Sequence, residues 1–182
     1  MILSFVIAGI VTVVLLAFIW YLWRSARRLD RIHRRVIQTR NALDRALVKR
    51  ASWVLRLADS LLCGQKGSEE LRAAATAALE EQTGDDEELG ENEEGLLVES
   101  RLTEVIRKVL SEDVQVSLDK DPFGKQLLEG TLASGYRVQV LRSLHNQDVT
   151  LAREIRSNLL TRVFHLAGHA KLPTYVDFDD EL

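Results

Sequence analysis

The residues that could do chemistry are few and scattered. His165 and His169 stand four apart in RVFHLAGHAKLP, the spacing that lets two imidazoles on one helix face share a metal ion. No glutamate follows His165, Gly168 interrupts the helix that would hold the pair, and no third ligand lies close in sequence, so the pair reads as ordinary polar residues. His145 falls on or beside the apolar face of a helix, where a hydrogen-bonded core histidine is the simpler reading. Cys63 is the only cysteine; it cannot close an intramolecular disulfide, is compatible with a reducing compartment, and reads as a small half-buried residue near a helix end. There is no glycine-rich phosphate loop, no CxxC and no Gly-x-Ser-x-Gly. The sequence thus offers no catalytic, cofactor-binding or metal-ligating set and points away from an enzyme.

Charge carries more information than these motifs. The net charge of −3 conceals segregation. Residues 24–56 are crowded with arginine, from Arg24, Arg27, Arg28, Arg31, Arg34 and Arg35 through Arg40, Arg45, Lys49, Arg50 and Arg56, against only Asp30 and Asp44. Residues 80–99 run from Glu80 to Glu99 with ten acids and no base. Such a block is read as a solvated, self-repelling segment, with 84–95 (GDDEELGENEEG) a mobile loop. Nucleic acid is not an expected partner: the arginines lack interleaved aromatics below the first stretch, and the acidic run would repel a polyanion.

The element behind which these arginines stand is MILSFVIAGIVTVVLLAFIWYLW, residues 1–23, without one charged side chain. As a helix it would be about 34 Å long, enough for a bilayer core of roughly 30 Å. Trp20, Tyr21 and Trp23 make an aromatic belt at headgroup level, and Arg24, Arg27, Arg28 and Arg31 follow at the interface, each gaining roughly 1 kcal/mol near anionic lipid. Nothing basic precedes the apolar core and bulky residues follow it, so the stretch is an uncleaved anchor rather than a signal peptide. The basic flank orients it with the N-terminus outside and the rest cytoplasmic, in a single-pass cell-membrane protein.

The remaining chain, about 160 residues, suits one core built of long helices, since only Pro122 and Pro173 interrupt it. From Arg24 to Leu62, Leu29, Ile32, Val36, Leu43, Leu47, Val54, Ala58 and Leu61 recur at steps of three, four or seven, one face of a helix continuous with the anchor and ended by Cys63 and a left-handed Gly64. A second helix starts at Ser68 as N-cap and stops near Thr83. Leu97, Leu102, Val105, Ile106 and Val109 give a third, up to about Glu112. Residues 113–121 read as a turn or fraying helix, because a lone strand has no partner. Asp121 as N-cap and Pro122 in the first turn open a fourth helix that runs to about Asn158, with Gly130 and Gly135 marking close helix contact.

These elements predict an all-α chain: a transmembrane anchor over 1–23, an antiparallel four-helix bundle with long helices over 24–158, and an amphipathic tail over 159–182. In the tail Leu160, Val163, Phe164 and Leu166 stand beside Arg162 and Lys171, for packing on the bundle or for contact with the bilayer surface, and TYVDFDDEL is irregular and surface-lying.

Two runs have a familiar layout. NALDRALVKRASWVLRLADS, with Lys49 and Arg50 as a basic pair on a long helix after a single span, resembles the first signature of the LemA family of bacterial membrane-anchored helical proteins. RVQVLRSLHNQDVTLAREIR resembles the second, with Arg137, Arg142, His145, Asn146 and Val149 in the signature places, although His145 replaces a tyrosine and an Asp-Leu-Ile-Pro-Asn-Leu-Val segment is absent. The resemblance implies an N-out topology, a cytoplasmic four-helix bundle and no established enzymatic activity. Together the residues and the resemblance lead to a non-enzymatic scaffold or adaptor for protein partners at the inner membrane surface. The alternative is a membrane-bound enzyme or sensor whose histidine and acid site is assembled by folding.

Overall fold

The computed structural model describes residues 2–83, 93–157 and 172–182. Among these the regular structure is helical throughout, in five elements: α1 (Ile2–Asp59), α2 (Gly64–Thr83), α3 (Glu93–Val109), α4 (Glu112–Asp119) and α5 (Pro122–Ser157). The expected anchor and first helix are one continuous α1, which is long and apolar enough to cross a membrane. Its apolar start is exposed on every described side, Val13 by 65% and Leu16 by 62%, as a helix apolar all round must be unless a membrane or a partner covers it.

The chain divides into two compact units. The first comprises Met1–Ile37 and Asp148–Pro173, and its core gathers Ile32 and Val36 of α1 with Val149 and Ala152 of α5. The second comprises Gln38–Gln147 and Thr174–Leu182. Its larger core joins Ala51, Val54, Leu57 and Ala58 of α1 to Leu71, Ala75 and Ala78 of α2, Leu102 and Ile106 of α3, Leu118 of α4 and Leu127 of α5. A smaller core there sets Leu43, Ala46 and Leu47 against Val138 and, from the last residues, Val176 and Phe178. The α1 stripe read from spacing is buried at each position except Leu61, which is exposed and takes φ 57 in the turn after Asp59. Gly64 takes φ 74 there as its position requires.

Several boundaries differ from the sequence reading, each for a local reason. α2 begins at Gly64, not Ser68: Ser68 sits one step back on the Leu71, Ala75, Ala78 stripe and is itself fully buried. α3 begins at Glu93, taking residues 93–95 from the expected loop, with Glu93 and Glu94 in its first turn and Arg107 and Lys108 in its last, as the helix dipole favours. Residues 84–92 lie outside the described set, as do 158–171 with His165 and His169. Residues 112–119 form a helix, one of the two readings open to this stretch: a strand would place Val114, Val116 and Leu118 on one face, whereas Leu118 is buried and Val116 is exposed. At the start of α5 the Asp121 carboxylate accepts a hydrogen bond from the Gly124 amide at 2.8 Å, the cap that the sequence predicts. A Cβ on Gly130 would lie 2.5 Å from the Trp53 ring, so the close contact there is with an indole of α1, whereas one on Gly135 would meet the Leu182 side chain of the irregular last residues and no helix.

Candidate functional site

The interface residues proposed for the membrane all lie exposed on α1: Trp20, Tyr21, Trp23, Arg24, Arg27, Arg28 and Arg31. Helical spacing of four stacks cation on ring, with the Arg24 guanidinium 5.7 Å from the Trp20 centroid and that of Arg27 3.4 Å from Trp23. One turn on, Arg34 pairs with Asp30 and its hydrogen bond holds the Asp30 carboxyl below the usual range. Arg35 reaches Asp148 of α5 at 2.8 Å within the same unit. The result is an aromatic collar with cations above it, chemistry suited to a headgroup layer.

Arg50, one of the basic pair on the long first helix, is fully buried, and so is Glu99, expected in a solvated acidic run. The signal for both was in their register. Arg50 stands three after Leu47 and four before Val54, and Glu99 stands three before Leu102, so each occupies an apolar stripe. The two form an ion pair. Arg50 Nη1 also donates to Thr103 Oγ1 at 3.1 Å and Nη2 to the Glu99 carbonyl at 3.3 Å, while Gln82 Nε2 donates to Glu99 Oε1 at 3.3 Å. The Phe178 ring centroid lies 5.7 Å from the guanidinium. Burial pushes the Glu99 carboxyl upward, against the opposing pull of Arg50. A pair enclosed by three helices and the chain's last residues admits no substrate; it pins α1 to α3 through charge, with α2 supplying the amide.

The second signature stretch turns inward too. The final residues, expected at the surface, are irregular but alternate: Val176, Phe178 and Asp180 are buried and Tyr175, Asp177 and Asp179 are exposed. The alternation is that of an extended chain lying on a helix, one side facing the core. Asn146 replaces a neighbouring strand, its amide donating to the Val176 carbonyl at 2.8 Å and its oxygen accepting the Val176 amide at 3.0 Å. Arg142 grips Asp180 with two hydrogen bonds, at 2.6 and 2.9 Å, and Gln139 donates to the Asp180 carbonyl at 2.6 Å. His145 is buried with Nε2 3.3 Å from the Thr174 carbonyl, so Nε2 carries the proton. From α3, Arg107 pairs with Asp179 at 2.9 Å, which holds that carboxyl low, and Ser100 accepts the Asp179 amide at 3.1 Å. No feature of Arg142, His145 or Asn146 in the sequence names these partners, which lie some 30 residues onward in a segment without periodicity of its own.

The other signature residues separate. Val149 is core of the first unit. Lys49 and Arg137 are exposed on opposite walls of a cleft of about 710 Å³ in the second unit, lined also by Arg45, Tyr136 and Val140. Cys63 is half-buried and burial raises its thiol. Among the described residues no group of three or more His, Cys, Asp or Glu side chains is arranged to hold a metal ion. Comparison of the chain with protein-family models, with curated proteins and with solved structures finds no match.

Proposed function

We propose that the chain is a single-pass membrane protein whose helices, presented on the cytoplasmic side, serve as a non-enzymatic scaffold or adaptor for protein partners at an anionic inner membrane surface. In this reading the helices of the second unit form an antiparallel four-helix bundle with α4 as a connector, and the likeness to LemA proteins is one of layout. The observation that carries the reading is where the polar side chains go. Among the described residues Arg50, Arg142, His145 and Asn146, side chains with chemistry to offer, spend hydrogen bonds on Glu99, Asp180, Thr174 and Val176 of the same chain. A site for reaction needs converging titratable groups facing a cleft. The cleft described above is instead lined by apolar side chains and cations.

The exposed apolar start of α1 and its collar of Trp20, Tyr21 and Trp23 support the anchor. An alkaline carbonate wash of membranes from expressing cells should leave the protein in the pellet, and recovery in the supernatant would refute a spanning helix. A tag placed after Leu182 should resist protease added outside intact cells; cleavage there would overturn the orientation.

A further inference from the structure

One surface of the second unit combines exposed apolar area with cations that, among the described residues, stand outside any ion pair. The cleft has a floor of small residues, Ala42 and Ala46 of α1, and along its α5 side Tyr136 and Val140 are exposed four residues apart, Tyr136 by 69%, with the half-buried Leu141 beside them. An apolar stripe of that kind on a helix belongs against another surface. Arg45, Lys49 and Arg137 border it, and none of them has an ion-pair partner among the described residues. In the same unit Arg40, Arg72, Arg107, Lys108 and Arg142 are each paired with a carboxylate.

We propose that this groove docks an acidic amphipathic helix of a partner protein. The partner's apolar side chains, at steps of three and four, lie over the small floor and against Tyr136, Val140 and Leu141, and its flanking Asp and Glu neutralise Arg45, Lys49 and Arg137. Two features select a helix over a small amphiphile. The cleft is open rather than enclosed, whereas small-molecule sites bury most of the ligand. Its cations come from both walls, so charge complementarity favours a partner carrying acids along both edges of an apolar face. The inference deepens the scaffold reading and rests on it.

The test uses the full chain in native membranes, with a photoreactive benzophenone side chain installed in separate copies at Tyr136 in the groove and at Leu97 and Val116, exposed positions off it. Adducts are sequenced by mass spectrometry. From position 136 the crosslinks should enter a segment of another protein that is apolar every third or fourth residue with Asp or Glu beside it. The pair K49E and R137E should lower the yield at position 136 by at least about tenfold and leave the unfolding temperature unchanged, because both side chains are exposed and replaced attraction becomes repulsion. No protein adduct at position 136, adducts to lipid or to a second copy of this chain, or a yield indifferent to the charge reversal would each overturn the groove. Protein adducts at 97 or 116 with none at 136 would remove the groove and leave the scaffold reading standing. The absence of protein adducts at all three positions would remove both.

Discussion

Replacing Arg50 with Met tests whether the Arg50 and Glu99 pair is a structural pin. Arg50 is fully buried and Glu99 is 1% exposed, so R50M keeps the volume of the side chain and deletes its charge. It leaves Glu99 in the core with Gln82 at 3.3 Å as a remaining donor. Breaking one side of a buried pair costs about 3–5 kcal/mol, a large share of the roughly 5–15 kcal/mol that stabilises a typical domain. At about 2–4 °C per kcal/mol for a chain of this size, the unfolding temperature should fall by roughly 6–20 °C. Substituting both partners, R50M with E99M, should recover most of that loss, since a well-packed apolar pair is often as stable as the ionic one. Protonation supplies an independent check. Burial already raises the Glu99 carboxyl and the guanidinium opposes the shift, so removing the guanidinium raises it further. Between the unfolded and the raised folded pKa the native state holds the extra proton, and stability therefore falls as pH increases through that window. R50M should accordingly lose less at about pH 5.5 than at about pH 8. The assay is thermal unfolding of the full chain in detergent micelles, followed by circular dichroism at both pH values. An R50M protein as stable as the parent, or a double variant no better than the single one, would refute the pin.

Four further outcomes follow from the same packing. Ser68 is fully buried and its hydroxyl has no hydrogen-bond partner among the described residues, so S68A should be neutral or stabilising by up to about 1 kcal/mol in urea unfolding. N146A removes both hydrogen bonds to Val176 and should cost about 1–3 kcal/mol, with hydrogen exchange of the Val176 amide accelerated well before global unfolding. G130A drives a methyl group into the Trp53 ring and should cost about 1–3 kcal/mol, with a change in Trp53 emission; a silent substitution would contradict the contact. The Asp179 carboxyl is held low by Arg107, so its contribution is present above the ordinary carboxylate range and is lost as pH falls through the depressed folded value. Exchange protection of the last residues should therefore decline on acidification, and R107M should flatten that dependence.

Helix faces were legible in the sequence because their information is local. The stripe from Leu29 to Ala58 repeats at helical spacing and is buried, and the Asp121 and Pro122 pair marks the start of α5 within a residue. What failed had a common cause. Ser68 and Glu99 are misjudged by residue type alone, a capping serine and an acid among acids, when register against the neighbouring apolar positions decides each. Glu99 is the sharpest case. Its nine acidic predecessors suggest solvent, yet Leu96 and Leu102 stand three residues to either side, and that spacing carries it to the buried face of α3.

The last residues posed a different difficulty, because an extended segment on a helix has no register of its own. Val176, Phe178 and Asp180 face inward because Asn146 offers both a donor and an acceptor at the spacing of one peptide group, which fixes Val176. Alternation then carries Phe178 and Asp180 to the same side, beside the Arg50 guanidinium and under Arg142. Asn146 thus fixes Val176, Arg142 and Gln139 hold Asp180, and Phe178 between them helps close the cover over the buried ion pair. That chain of dependence explains why N146A and R50M should not be independent: with the clasp released, water reaches the buried pair, the desolvation of the Glu99 carboxylate that makes R50M costly is already relieved, and the double variant should be less destabilised than the sum of the two singles. Strict additivity would mean that the cover over Arg50 does not depend on Asn146.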